Sequence, residues 1–263
     1  GEGMTTPILE AKELTQKFGG LTAVDNVSLH VGVDELVALI GPNGAGKTTL
    51  FNMLTGVNAP TEGDVYLAGE KITGKKAYAV AQMGISRTFQ NIRLFSDMTV
   101  LENVLTALTN HYKENFVSSV LRLPGYYKTE AAMKEEAMKL LNDFGLASVA
   151  ENRAGNLPYG AQRRVEIVRA LATRPKVIFL DEPAAGMNPE ETADLTRLIK
   201  KIQSEYHTAV LLIEHDMSLV MNIAERIYVL DHGHLLAEGT PKEIQDNPEV
   251  IKAYLGGDAD ADA

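Results

Sequence analysis

The sequence contains no cysteine among its 263 residues, which excludes disulfides, thiolate metal sites and a cysteine nucleophile. It also lacks a long hydrophobic run. Apolar stretches such as Ala209 to Ile213 are only five residues long, whereas about 18 are needed to span a bilayer. The first residues hold no hydrophobic export segment, and Gly1-Glu2-Gly3 ahead of Met4 look like a cloning remnant that we leave out of the fold. Any role at a membrane is therefore expected to depend on a partner.

Positive charge is scarce, because the sequence has 25 Lys and Arg residues but 35 Asp and Glu residues, for a net charge of −10. Electrostatic binding of DNA or RNA through a broad basic surface is therefore not expected. The motifs D-x-x-G and N-K-x-D are absent, so a GTPase switch is disfavoured as well. A chain of this length can bury a full core and suits one large α/β domain or two small ones.

What the sequence does contain is a phosphate-binding motif, G-x-x-x-x-G-K-[ST], placed between a predicted buried strand (Leu36–Ile40) and a predicted helix (Lys47–Leu54). Glycines let several backbone N–H groups converge on one phosphate, and the helix adds its positive end. We expect Lys47 to reach the β- and γ-phosphates and Thr48 to offer a hydroxyl to Mg²⁺. The predicted nucleotide-binding residues are Gly41, Pro42, Asn43, Gly44, Ala45, Gly46, Lys47, Thr48 and Thr49.

Polar residues follow three other predicted strands. Asp181 and Glu182 end an apolar strand that begins at Lys176, at the sheet edge where α/β proteins bind ligands. Asp181 is predicted to hold the Mg²⁺ shell, and Glu182 to orient and deprotonate the attacking water. After two more strands, Gln90 can reach the metal and its water, and His215 can donate to the γ-phosphate. Taken singly, each is more often a surface residue, so the prediction depends on their order after the phosphate loop. The predicted catalytic residues are Glu182, His215, Gln90 and Lys47, and the predicted metal ligands are Thr48, Gln90 and Asp181.

The rest of the chain predicts an α/β fold, a P-loop NTPase (RecA-like) core with an antiparallel β subdomain and a helical insert. Alternating apolar positions before residue 40 indicate antiparallel strands, and Gly63 to Ile72 predicts a hairpin turning at Gly69-Glu70. Strands alternating with helices from residue 160 onward indicate a parallel sheet. We expect one domain over 4–257, with its core in 4–90 and 164–240, helical insert in 91–163 and C-terminal extension in 241–257. Within this domain we expect a capping box formed by Thr99 and Glu102, an irregular segment at 111–128 and a last helix from Pro248 to Leu255. The acidic tail at 258–263, which follows the domain, is expected to be disordered.

In this order, the phosphate loop, Gln90, a signature turn, Asp181-Glu182 and His215 resemble the ATP-binding cassette (ABC) family. The resemblance covers essentially Ile8 to Gly256 and is closest to the ATPase subunits of branched-chain amino-acid importers. The segments that carry it are Lys17-Phe18-Gly19-Gly20-Leu21, Arg87-Thr88-Phe89-Gln90, Ile92-Arg93-Leu94-Phe95, Asp181-Glu182-Pro183-Ala184-Ala185-Gly186, Ile213-Glu214-His215-Asp216-Met217 and Ala253-Tyr254-Leu255-Gly256.

This resemblance implies a cytoplasmic ATPase, attached peripherally to the inner face of the plasma membrane, that binds ATP and Mg²⁺ and pairs with a second ABC ATPase. That second ATPase is either another copy of this chain or a homologue. It further implies two transmembrane permease subunits as partners, a solute-binding protein as an indirect partner, and no nucleic acid. Phe18 should stack on adenine unless it is an ordinary core aromatic. The segment from Gln90 to Phe95 is the candidate permease contact, with a solvated linker as the alternative.

The signature turn departs from the family, which usually has Leu-Ser-Gly-Gly-Gln where this chain has Leu157-Pro158-Tyr159-Gly160-Ala161, followed by Gln162. In the family this turn closes over the ATP of the opposite subunit. The residues expected to act there are Pro158, Tyr159, Gly160, Ala161 and Gln162. Proline removes the serine hydroxyl and one backbone N–H, so we expect the two ATP sites of the working dimer to be unequal.

Two other functions share these motifs. A related cassette ATPase drives lipopolysaccharide export, and the sequence offers no residue that must touch the transported molecule. Soluble cassette proteins of translation or DNA repair usually have two cassettes, long coiled-coil inserts or basic faces. This chain has one phosphate loop and is acidic, so that reading is disfavoured.

Overall fold

A computed structural model describes residues 6–42, 44–88, 95–119 and 129–259, without the side chains of 114–119 and 255–259. In these ranges the strands are β1 (Leu9–Phe18), β2 (Leu21–Val31), β3 (Leu36–Ile40), β4 (Glu62–Leu67), β5 (Glu70–Lys71), β6 (Ile85–Arg87), β7 (Val177–Asp181), β8 (Ala209–Ile213), β9 (Arg226–Asp231) and β10 (His234–Gly239). The α-helices are α1 (Lys47–Leu54), α2 (Ala77–Met83), α3 (Val100–Ser119), α4 (Glu130–Asp143), α5 (Tyr159–Ala172), α6 (Pro189–Glu205), α7 (Met217–Ile223), α8 (Pro241–Gln245) and α9 (Pro248–Ala259).

The strands form two sheets. An antiparallel sheet has the order β2-β1-β4-β5, and a second sheet has the order β10-β9-β3-β8-β7-β6. In the second sheet β3, β6, β7, β8 and β9 are parallel, and β10 is an antiparallel edge strand. The predicted α/β fold with an antiparallel opening is therefore confirmed. Because the parallel strands share one direction, the loops after β3, β8 and β7 emerge side by side at one edge.

The central strands are apolar throughout because both faces of the parallel sheet are covered. In β3, Leu36, Ala38 and Ile40 pack in one hydrophobic cluster with residues of α3 to α7, whereas Val37 and Leu39 pack in a second cluster. That second cluster contains α1 and the inner face of the antiparallel sheet. The two clusters hold the strand ends in place, and thus the loops that follow them.

Helix ends follow local capping signals. The predicted capping box at Thr99 is present, since Glu102 N donates to Thr99 Oγ1 at 3.0 Å and Thr99 N donates to Glu102 Oε1 at 3.1 Å. Asn188 and Glu191 form the same reciprocal pair ahead of α6. Helix α1 has the predicted bounds. No helix in the described part of the chain is long and apolar enough to cross a membrane.

The structure differs from three local predictions, which concern helix α3, the β4–β5 hairpin and the last helix. Helix α3 continues to Ser119, although residues 111–128 were predicted to be irregular. Tyr112 explains part of this difference, because its hydroxyl lies 2.9 Å from Glu136 of α4 and tertiary packing offsets weak periodicity. The hairpin turns at Ala68-Gly69, one residue earlier than predicted, since both have the positive φ values of 50° and 81° that a tight hairpin turn requires.

The last helix also differs from its prediction. Helix α9 runs to Ala259, past the predicted end at Leu255, and so includes Asp258 and Ala259 of the tail that was predicted to be disordered. The added residues include Gly256 and Gly257, which disfavour helix, so the extension depends on propagation from an existing helix, where each residue gains a hydrogen bond without a new nucleation cost. The remaining residues of that tail, 260–263, lie outside the described residues. The predicted core boundary at 163 and 164 falls inside α5, and the domain division stays a prediction.

Candidate nucleotide site

The phosphate loop lies between β3 and α1, packed against the turn that joins β9 to β10. Ala45 O accepts a hydrogen bond from Gly233 N at 2.8 Å. A Cβ at Gly41 would lie 2.1 Å from the carbonyl oxygen of Leu230, and one at Gly46 would lie 2.7 Å from that of Ala23. Both positions therefore require glycine, and the loop is held from outside while its inner face stays open.

Lys47 is the buried cation of this loop, with 7% of its surface exposed. Its Nζ donates to the carbonyl oxygen of Gly41 at 2.5 Å. Burial lowers the pKa of Lys47, and the carboxylates of Glu182, Asp181 and Glu214 act in the opposite direction without cancelling this effect. The ammonium is thus preorganised at the loop and surrounded by negative charge.

A cavity of about 470 Å³ opens over the loop. Its lining includes Glu182 from the end of β7 and His215 from the end of β8, together with Lys47. The full lining is Leu21, Thr22, Ala23, Gly44, Ala45, Gly46, Lys47, Thr48, Thr49, Glu182, His215 and His232. Residues that follow β3, β7 and β8 therefore meet at one site. Gln90, which was predicted to join them from a further strand end, lies outside the described residues, and the chemical roles of all these residues stay predictions.

Glu182 and His215 contact each other directly, with His215 Nε2 2.5 Å from Glu182 Oε1. The backbone of Glu182 has a φ of 47°, which is unusual for a residue with a side chain. Two contacts hold this turn: Glu182 N donates to Ile213 O at 2.9 Å, and Arg163 Nη2 donates to Glu182 O at 3.0 Å. The conformation directs the carboxylate into the cavity.

Asp181, the predicted metal ligand, is engaged by a partner that the sequence reading did not assign. Its Oδ2 lies 3.0 Å from Arg87 Nη2, and both side chains are over 90% buried, at 8% and 9% exposure. Arg87 also donates to Asn52 Oδ1 in α1 at 2.7 Å and to Oγ1 of Thr55, which caps the end of that helix, at 3.1 Å. The ion pair thus ties β6, β7 and the phosphate-loop helix together.

Breaking this buried ion pair by removing one partner should destabilise the protein. We expect Arg87→Met to lower the free energy of unfolding by about 3–5 kcal/mol, because the carboxylate of Asp181 stays buried without its cation. Urea unfolding at constant m-value measures the loss. Arg197→Met is the matched control: its pair with Asp194 is exposed, so a change below about 1 kcal/mol is expected. Equal losses in the two variants would contradict the importance of burial.

The signature turn begins α5. Pro158 is the N-cap and provides no side-chain hydrogen bond, and Tyr159, the first helical residue, is 44% exposed. Ala161 follows in the first turn. Gln162 folds back, donating from Nε2 to Leu157 O at 2.8 Å. A Cβ at Gly160 would meet Glu191 Oε2 at 2.0 Å, so a larger residue there would displace the Glu191 side chain.

Other predicted residues are placed less completely. Gln90 and Asn43 lie outside the described residues. Phe18 is 50% exposed, so it is not a core aromatic, and it does not line the cavity. Pro42 is half-buried beside the cavity-lining glycines. The sequence analysis assigned no role to the following residues, which the structure places at or beside the cavity: Arg87, Arg163, Glu214, Leu21, Thr22, Ala23 and His232.

The cavity fits a nucleotide and a hard metal ion. Its loop offers backbone N–H groups, a buried ammonium and the exposed Thr48 side chain, which suits a polyphosphate with an oxygen-ligated cation. Among the described residues, no three His, Cys, Asp or Glu side chains come together as a metal cluster.

Two sequence families match the chain. The family described as "ABC transporter" matches residues 24–185, and one described as "Branched-chain amino acid ATP-binding cassette transporter" matches residues 234–260. The protein is 51% identical to the high-affinity branched-chain amino acid transport ATP-binding protein BraF of Pseudomonas aeruginosa, over 96% of this chain and 99% of that protein. It is 47% identical to LivG of Escherichia coli K12 over the same shares of the two chains.

A solved structure agrees with this relationship. The ADP conformation of MJ1267, an ATP-binding cassette of an ABC transporter, superposes with a TM-score of 0.83 at 35% identity, covering 96% of this chain and 100% of that one. The chain therefore belongs to the ATP-binding cassette transporter family and is an ATP-binding ATPase of that family.

Proposed function

We propose that this ATPase powers the import of branched-chain amino acids. The observation that supports the proposal is the 51% identity to BraF across nearly the whole length of both chains. The match of residues 234–260 to a family of branched-chain amino acid transporters supports it further, because that segment lies outside the residues matched to the general family. No described observation favours lipopolysaccharide export or a soluble role.

The proposed partners are two permease subunits, a second ABC ATPase and, indirectly, a solute-binding protein, with the chain held at the cytoplasmic face of the inner membrane. A groove of about 1020 Å³ between α2 and β6 on one side and α3 and α5 on the other supports permease docking. Tyr78 and Phe95 line it and are 66% and 53% exposed. Phe95 ends the segment proposed for permease contact, whose earlier residues, Gln90 to Leu94, lie outside the described residues.

In the proposed mechanism each cavity residue has one task. Lys47 binds the β- and γ-phosphates, and Glu182 orients the attacking water and accepts its proton. His215 donates to the γ-phosphate as negative charge develops there. Mg²⁺, held through Thr48, Gln90 and a shell that Asp181 supports, would neutralise phosphate charge when bound. Phe18 is proposed to stack on the adenine, consistent with its exposure at the end of β1.

The import function is tested on the assembled transporter. The tagged chain is co-purified from membranes, the complex is placed in vesicles, and ATP hydrolysis is measured with the solute-binding protein and leucine, or with an acidic amino acid as the control. Recovery of two permeases and stimulation by leucine alone support the proposal. Recovery of ribosomes or DNA, or no response to leucine, would exclude it.

The signature turn gives a separate prediction. Pro158→Ser with Tyr159→Gly restores a helix cap worth about 1 kcal/mol to α5 and two features usual in the family. We expect turnover of the full complex to rise, because the weaker ATP site gains hydrogen-bond donors. Turnover is measured against Lys200→Ala, an exposed change on α6. Unchanged turnover would overturn the hypothesis of unequal sites.

A further inference from the structure

Glu214 is a buried carboxylate for which the proposed mechanism has no task. It lies between β8 and His215 and is 3% exposed. Its Oε1 accepts hydrogen bonds from His215 N at 2.9 Å and Asp216 N at 3.2 Å, and its Oε2 accepts one from Ala184 N at 3.0 Å. One carboxylate therefore joins the loop that presents His215 to the loop that follows Glu182.

The charge of Glu214, and not only its volume, is important at this position. Burial raises the pKa of Glu214, while the three backbone N–H groups favour its charged form. A buried charge is tolerated only when hydrogen bonds compensate it, and bonds to a charged acceptor are stronger than neutral ones. An apolar residue would fill the same volume without that cost. The carboxylate is therefore required for the bonds it makes between the two loops.

The bonds define the spacing of the two polar side chains over the phosphate loop. Glu182 and His215 come from different strands, yet their side chains lie 2.5 Å apart. Ala184 follows Glu182 in a tight turn, in which Ala185 N donates to Glu182 O at 3.1 Å. A carboxylate bonded to Ala184 N and to His215 N thus couples the backbone positions that set this distance.

The same loop reaches the signature turn. It continues through Gly186, where a Cβ would lie 3.5 Å from the ring of Tyr159. The loop that Glu214 holds at Ala184 therefore continues close to the residue that begins α5.

We propose that Glu214 is a positioning residue that holds His215 in register with Glu182 for ATP hydrolysis. This inference depends on the role proposed above for His215. Glu214 does not contact the phosphates itself, and it acts by fixing the backbone of the His215 loop against Ala184. Removing its bonds should slow hydrolysis without weakening ATP binding, since the phosphate loop is held separately through Gly233 and Leu230.

The test is a double-mutant cycle on the full chain in its transporter complex. Glu214→Gln keeps the size of the side chain, but its NH₂ group must face at least one of the N–H donors. We expect single-turnover hydrolysis to fall at least about tenfold, with the Kd for ATP changed by less than about twofold. In the His215→Ala background the same substitution should change the rate by less than about twofold. Effects that multiply would show that Glu214 acts independently of His215 and would overturn the inference.

Two further variants distinguish a positioning role of Glu214 from a general loss of folding. Glu214→Asp retains the charge but is too short to reach both loops, so the same cycle can be run if the glutamine variant does not fold. Glu35→Gln is the matched control. Its carboxylate is bonded to Gly32 N at 3.0 Å and Arg226 Nη2 at 2.7 Å, at the opposite end of β3, and its turnover should be unchanged.

The cycle also separates this inference from the role on which it depends. If His215→Ala hydrolyses ATP like the parent, the role proposed for His215 fails. If His215→Ala is slow but Glu214→Gln or Glu214→Asp is as fast as the parent, only the positioning role fails. A drop caused by Glu35→Gln equal to that caused by Glu214→Gln would indicate a general loss of stability and would also contradict the positioning role.

Discussion

Glu182→Gln should bind ATP as tightly as the parent and hydrolyse it at least about a hundredfold more slowly. Glutamine keeps the shape of the side chain and its hydrogen bond with His215, but it cannot accept the proton of the attacking water. A hundredfold loss corresponds to about 2.7 kcal/mol of transition-state stabilisation. Binding is measured with a fluorescent ATP analogue, and hydrolysis by phosphate release under single-turnover conditions.

The location of Glu182 explains why only the chemical step should change. Its carboxylate lines the cavity and contacts His215, and the substitution leaves every residue of the phosphate loop in place. Glu70→Gln, an exposed change in the antiparallel sheet, is the matched control and should retain full turnover. Normal hydrolysis in Glu182→Gln would remove Glu182 from the role of base.

Features of this site that depend on neighbouring residues could be predicted from the sequence, whereas contacts between distant segments could not. The phosphate loop and α1 are specified by nine consecutive residues, and the bounds of that helix agree with the prediction. The convergence of Glu182 and His215 follows from a general property of parallel sheets, whose carboxyl ends meet at one edge. Such features need only a local motif and a correct element order.

Contacts between distant segments were not predictable in the same way. Arg87 and Asp181 are 94 residues apart, and Glu214 bonds to Ala184 across 30 residues. Neither pairing has a periodicity or a fixed spacing, because each depends on which strands become neighbours. The late end of α3 has the same origin, since Tyr112 is held by a residue of α4 that local periodicity does not represent.

Lys47→Ala should reduce the affinity for MgATP by at least about a hundredfold, which is about 2.7 kcal/mol. In the parent, the buried ammonium lies at the phosphate loop and is the cation on which the carboxylates of Glu182, Asp181 and Glu214 act. Without it the negative charge of these carboxylates, of which Glu182 lines the cavity, is opposed less strongly. The loss should therefore lie at or above the upper part of the range for a single hydrogen bond to a charged group, about 1.5–3 kcal/mol.

The two substitutions of cavity residues should thus differ in their effect on the affinity for ATP. Glu182→Gln removes a negative charge near the phosphates and should bind ATP at least as well as the parent, whereas Lys47→Ala removes the positive charge and should bind poorly. Titration calorimetry compares the variants, with Lys200→Ala as the control for loss of an exposed lysine and thermal unfolding as the check on folding. A folded Lys47→Ala variant with parental affinity would mean that the cavity between β3, β7 and β8 does not hold the triphosphate, and the roles proposed for Glu182 and His215 would have no substrate to act on.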